Sequence, residues 1–121
     1  MAANPLPSPT LTLAVEKTPT EVTIRCSGKI TLENASQLRD TARQLIAETK
    51  RLALDFSDVT YLDSSGLGMI VGVYISAKKA GCELKVINLT PRVKEIFTLT
   101  RLDEVLASRA RAGEGIDQFR V

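Results

Sequence analysis

From Leu11 to Phe97 the spacing of apolar residues switches repeatedly between the two-residue period of a strand and the 3.6-residue period of a helix. That alternation restricts the chain to an α/β architecture. Leu11, Leu13 and Val15 alternate with polar or small residues, a Thr18, Pro19, Thr20 turn follows, and Val22, Ile24 and Cys26 resume the alternation, as in a hairpin. After Gly28, Thr31 is placed to cap a long amphipathic helix with Glu33 in its first turn. Ala35, Leu38, Ala42, Leu45 and Ile46 form its inner face, opposite Arg39, Asp40, Arg43 and Gln44.

Leu52, Leu54 and Phe56 predict a short covered strand, and Ser57 to Asp63 a connecting loop. Asp55, at the strand's end, is expected to be exposed or hydrogen-bonded to backbone. Leu67, Ile70, Val71, Tyr74 and Ala77 then give a second helix, closed by Gly81 with Lys78 and Lys79 in its last turn. Leu84, Val86, Ile87 and Leu89 make another strand. Thr90 and Pro91 open a third helix with Val93, Ile96, Phe97 and Thr100 inward. Leu102, Val105 and Leu106 suggest a final short strand. The order strand, strand, helix, strand, helix, strand, helix implies parallel pairing of the later strands, because a helical crossover returns the chain to the same end of the sheet.

A chain of 121 residues accommodates one domain. Residues 1–10, interrupted by Pro5, Pro7 and Pro9, are expected to be a flexible lead-in, 11–106 the folded domain, and 107–121 a tail or last helix. The start has neither a basic region nor an apolar core, so it does not read as a signal peptide, and no run approaches membrane-spanning length. A net charge of +2 without basic clusters gives no nucleic-acid groove, and three Phe, two Tyr and no Trp give no stacking platform. Cys26 and Cys82 lie in apolar stretches without CxxC spacing, which suits buried reduced thiols in a cytoplasmic protein.

The chain has no histidine, which excludes Ser-His-Asp hydrolysis, histidine phosphotransfer and HExxH metal chemistry. No GxSxG elbow, SxxK pair or GxxxxGK[ST] loop occurs. No catalytic residue, metal or cofactor is therefore expected. Gly66, Gly68 and Gly72 imitate a dinucleotide fingerprint, but they do not open directly from a strand and no acidic residue ends the next one. They read instead as glycines that ease the turn and let helix and sheet approach closely. What remains is Asp63, Ser64, Ser65, Gly66, Leu67, Gly68, flanked by Tyr61 and Leu62. Asp63 or Ser64 caps the second helix, and a serine there sits at a cluster of unpaired N–H groups carrying partial positive charge. An anion added to that hydroxyl would be favoured.

Several pieces together resemble the anti-sigma factor antagonist family, whose fold is the STAS domain: the strand ending in Asp55-Phe56, the DSSGLG turn, the apolar helix with Gly72, the strand followed by the Pro91 helix, and SGKI at Ser27–Ile30. The likeness spans roughly residues 11–106. It implies a small mixed sheet with helices packed mainly on one side, and phosphorylation of the serine after the turn's aspartate, Ser64. It implies that the unphosphorylated form binds an anti-sigma factor with serine kinase activity and frees a sigma factor, and that a metal-dependent serine phosphatase reverses the modification. Lys29, Thr31, Asp63, Ser64, Ser65, Gly66 and Leu67 would face the partner, with neither nucleic acid nor membrane involved. Where many members carry an acidic residue after the glycine near the first long helix, this chain has Lys29 after Gly28. An alternative within the same fold is an accessory subunit of a transport ATPase or of a stress-signalling assembly.

Overall fold

The computed structural model describes residues 10–101. Its elements are β1 (Leu11–Lys17), β2 (Val22–Ile30), α1 (Ala35–Ile46), β3 (Arg51–Leu62), α2 (Ser64–Ala80), β4 (Glu83–Ile87) and α3 (Pro91–Leu99). The strands form one sheet in the order β1-β2-β3-β4. β1 and β2 are the expected antiparallel hairpin, whereas β2 with β3 and β3 with β4 are parallel, with α1 and α2 as the crossovers.

Strand alternation assigns the two faces of the sheet. Val22, Ile24 and Cys26 of β2, Leu52, Leu54 and Phe56 of β3, and Leu84 and Val86 of β4 are buried on one side. They join Leu38, Ala42, Leu45 and Ile46 of α1, Met69, Ile70, Val73 and Ala77 of α2, and Val93 and Phe97 of α3 in a single core. α1 and α2 also pack against each other. The result is the mixed sheet with helices mainly on one side that the sequence led us to expect. The opposite face carries Glu16, Arg25, Asp55 and Lys85, joined by ion pairs from Arg25 to Glu16 (3.6 Å) and to Asp55 (4.0 Å) and from Lys85 to Glu21 (3.4 Å).

Three element boundaries differ from the sequence reading. β3 does not stop at Phe56. It continues to Leu62 because β2 also runs on, and Asp58, Val59, Tyr61 and Leu62 pair with Ser27, Gly28, Lys29 and Ile30 through register shifts. The segment read as a loop is therefore a bulged strand whose inward residues are Val59 and Leu62. α1 starts at Ala35 rather than after Thr31, because residues 32–34 form a separate turn in which the Ala35 N–H donates to the Thr31 carbonyl (2.8 Å). Glu33 thus precedes the helix. β4 ends at Ile87, since Asn88 takes the left-handed conformation (φ 60°), and Thr100 is exposed rather than inward. The lead-in before Thr10, the strand expected at Leu102–Leu106 and the segment 107–121 lie outside the described residues.

The helix ends otherwise follow local chemistry. Gly81 closes α2 at φ 74°, donating to the carbonyls of Ala77 and Lys78. Thr90 caps α3 by accepting the Val93 N–H (3.3 Å) and donates its hydroxyl to the Val59 carbonyl (3.1 Å), which pins α3 to the extension of β3.

Candidate functional site

The turn after β3 is organised by Asp63. Its extended backbone (φ −100°, ψ −170°) ends the strand, and its Oδ1 accepts the N–H groups of Ser65 (2.9 Å) and Gly66 (3.1 Å) at the start of α2. This is an N-cap that satisfies two of the orphan donors of the helix, and its charge also suits the positive helix end. The second oxygen has a different task. Oδ2 accepts the Leu32 N–H (3.1 Å) from the turn between β2 and α1, while the Asp63 N–H donates to the Ile30 carbonyl (3.1 Å). The turns that follow the parallel strands β2 and β3 are thereby joined.

Ser64 is the first residue of α2 and is exposed, and its hydroxyl has no hydrogen-bond partner among the described residues. Ser65 is half-buried with its N–H committed to Asp63. Gly66 is buried, and a Cβ built there would stand 3.1 Å from Ile30 Cγ2, the Ile30 carbonyl oxygen and Leu62 Cβ, so helix and sheet approach closely at this point and a side chain would press on both neighbours. Gly68 and Gly72 correct the sequence reading: a Cβ on either would meet open space, so neither mediates that approach. Leu67 is half-buried against the core.

Lys29 and Thr31 reach the same end of the sheet from β2. Lys29 is exposed and Thr31 half-buried. Asn34 holds them in place: its Nδ2 donates to the Lys29 carbonyl and to Thr10 Oγ1 (both 3.0 Å), and its Oδ1 accepts the Thr31 N–H (2.8 Å). At 1% exposure, a side chain with all these groups satisfied is a structural hub. Gly28 (φ 112°) permits the neighbouring crossing, because a Cβ there would strike the Thr10 carbonyl. The structure thus places Lys29, Thr31 and residues 63–67 at adjacent strand ends.

Sequence reading missed two residues here. Leu32 is 77% exposed and is held by Asp63, and Asn34 supplies the hub. The available signal is Asn34 itself, immediately before the first inward position Ala35, although its side chain turns back to the strand ends instead of capping α1.

Asp55 lies apart from this turn. Burial would raise its pKa, but the Ser57 N–H (2.9 Å) and hydroxyl, the Asn88 amide (3.2 Å) and the Arg25 charge overcome that and hold it below the ordinary value. It fixes the left-handed Asn88 that leads into α3. Burial pushes the Cys26 thiol up to about 12 and also raises Cys82, with Asp55 and Glu83 respectively adding to the effect, so neither thiol is poised to react. Among the described residues no helix is long and apolar enough to cross a membrane, and no group of three His, Cys, Asp or Glu side chains could hold a metal ion.

The geometry has recognisable relatives. The anti-sigma-B factor antagonist of Bacillus subtilis is 30% identical over 102 residues, covering 84% of this chain and 94% of that protein. A crystal structure of an anti-sigma factor antagonist from Mycobacterium paratuberculosis superposes with a TM-score of 0.71 at 26% identity, covering 83% of this chain and 86% of that one. The anti-sigma factor antagonist SpoIIAA shares the fold in its unphosphorylated form, with a TM-score of 0.66 at 21% identity over 85% of this chain and 99% of that one. Its phosphorylated form gives 0.61 at 21% identity, over 75% and 85%. The family model described as "Mlab, STAS domain" matches residues 13–107, and with the mixed sheet and the capped turn after β3 this makes the chain a member of the STAS domain family.

Proposed function

We propose that this protein is an anti-sigma factor antagonist whose single STAS domain, residues 11–106, is switched by phosphorylation of Ser64. In the unphosphorylated form it binds an anti-sigma factor that is also a serine kinase, and so releases a sigma factor. A serine phosphatase restores that form. The chain acts as a binding module with no catalysis of its own. The similarity to anti-sigma-B factor antagonists supports the role, and the existence of a phosphorylated form of SpoIIAA supports a switch of this kind.

The observation that carries the reading is the exposed Ser64 hydroxyl at the first position of a capped helix. A phosphate adds about 1.5 to 2 negative charges. At a helix N-terminus it gains about 0.3 to 1 kcal/mol, partly offset by Asp63, so the fold persists. At a docking surface shaped for a hydroxyl, the same charge must be desolvated, and like-charge contacts cost several kcal/mol. Since about 1.4 kcal/mol is tenfold in affinity, binding falls by roughly a hundredfold or more.

The test is incubation with candidate kinase-type anti-sigma factors and ATP, followed by mapping of the modified residue by mass spectrometry. Phosphate on Ser64, retained partner binding by Ser64→Ala, and weak binding by Ser64→Asp are expected. Modification at Ser65 or elsewhere overturns the site. In a pull-down with the unphosphorylated chain, recovery of a transport ATPase subunit in place of a kinase overturns the role.

A further inference from the structure

Tyr61 precedes Ser64 by three residues, near the end of β3, and its ladder partner on β2 is Lys29. From the first turn of α3, the Arg92 guanidinium lies over the Tyr61 ring, 5.8 Å from its centroid. All three side chains are exposed. Lys17, Arg25, Arg39, Arg51 and Lys85 each stand within 4.0 Å of a carboxylate, but among the described residues neither Lys29 nor Arg92 does. A guanidinium held over a ring in a cation–π contact keeps N–H donors free for a planar acceptor, and the ring limits the orientations it must give up on binding. Among the described residues, positive charge at this corner is therefore unpaired, and that of Arg92 is held over the ring. The side chains come from three elements and stand in solvent, which is the arrangement of a protein-facing surface rather than an enclosed ligand site.

We propose that Lys29, Tyr61 and Arg92 form a cationic patch that selects the partner docking at Ser64 by receiving a carboxylate side chain of that partner. The inference rests on the reading of the Ser64 turn as a docking site. Continuity supports it, since the three residue steps from Tyr61 to Ser64 span at most about 10 Å. Charge supports it too, because an arginine held over a ring beside a lysine fits an acidic surface and repels a basic one. The patch also sharpens the switch. Phosphate on Ser64 places its negative charge near the same cations, where it competes with the partner's carboxylate and repels it.

The experiment uses the full chain as immobilised bait against a panel of purified kinase-type anti-sigma factors, by biolayer interferometry at low and high salt. The double variant Lys29→Glu/Arg92→Glu should bind the best panel member roughly tenfold or more weakly, with a smaller deficit at high salt. Arg92→Lys, which keeps the charge without the planar fork of donors, should fall between. Melting temperatures within a degree or two of the parent show that the variants are folded. A double variant that binds within threefold of the parent, or a deficit unchanged by salt, overturns the patch and leaves the Ser64 switch standing. If no panel member binds the parent chain, the proposed function fails and the patch fails with it.

Discussion

Asp63 divides its carboxylate between two jobs, Oδ1 capping α2 and Oδ2 holding the Leu32 N–H. Substitutions separate them. Asp63→Ala loses both and should lower stability by about 1 to 2 kcal/mol in urea unfolding. Asp63→Asn keeps a capping oxygen but presents an amide donor to the Leu32 N–H. It should unfold near the parent while its Leu32 amide exchanges faster with solvent, and equal stability of the two variants would contradict the division. Asp55 gives a pH prediction. Its folded pKa lies below the ordinary value of 3.8, so its contribution is fully present above about that pH and is lost as pH falls through the folded value. In acid titrations of stability, Asp55→Asn should flatten the decline below pH 3.8, and an unchanged slope would show that other carboxylates govern it.

At the scale of elements, the α2 glycines predict opposite outcomes. Gly66→Ala forces a methyl to within 3.1 Å of Ile30 and Leu62 and should lower the melting temperature. Gly68→Ala and Gly72→Ala place a methyl in open space inside a helix, where each should add about 0.5 to 1 kcal/mol of stability. Calorimetry that ranked all three alike would refute the packing described for Gly66. The same helix shows what a sequence can reveal. Its span, its Gly81 stop, the Thr90 and Pro91 start of α3 and the hairpin follow from chemistry within a few residues, so they were legible. The extension of β3 was not, because its inward residues Phe56, Val59 and Leu62 recur at three-residue intervals across a bulge. Only the distant strand β2 reveals that pairing. Leu32 escaped for a similar reason: what holds it is a carboxylate that is remote in sequence. Ser64 and its neighbours stand out as candidates because DSSGLG is a local pattern carried by the family resemblance.

For the molecule as a whole, one core joins all three helices to the sheet, and Phe56 and Leu54 are fully buried in it. Truncating Phe56 to Ala should cost about 3 to 5 kcal/mol, a large share of the stability of a domain this size. Cys26, fully buried with its thiol pushed up to about 12, reports on the same core. A disulfide reagent should label it only as denaturant unfolds the chain, with a midpoint matching that seen by circular dichroism; rapid labelling of the native protein would contradict that packing. A second consequence concerns kinetics. Because one aspartate already clasps the Leu32 turn to the head of α2, a visiting protein meets a face with little left to organise. Under the proposed switch, phosphate on Ser64 should then act mainly on how long the complex lasts, with a smaller drop in association rate from repulsion of the partner's carboxylate.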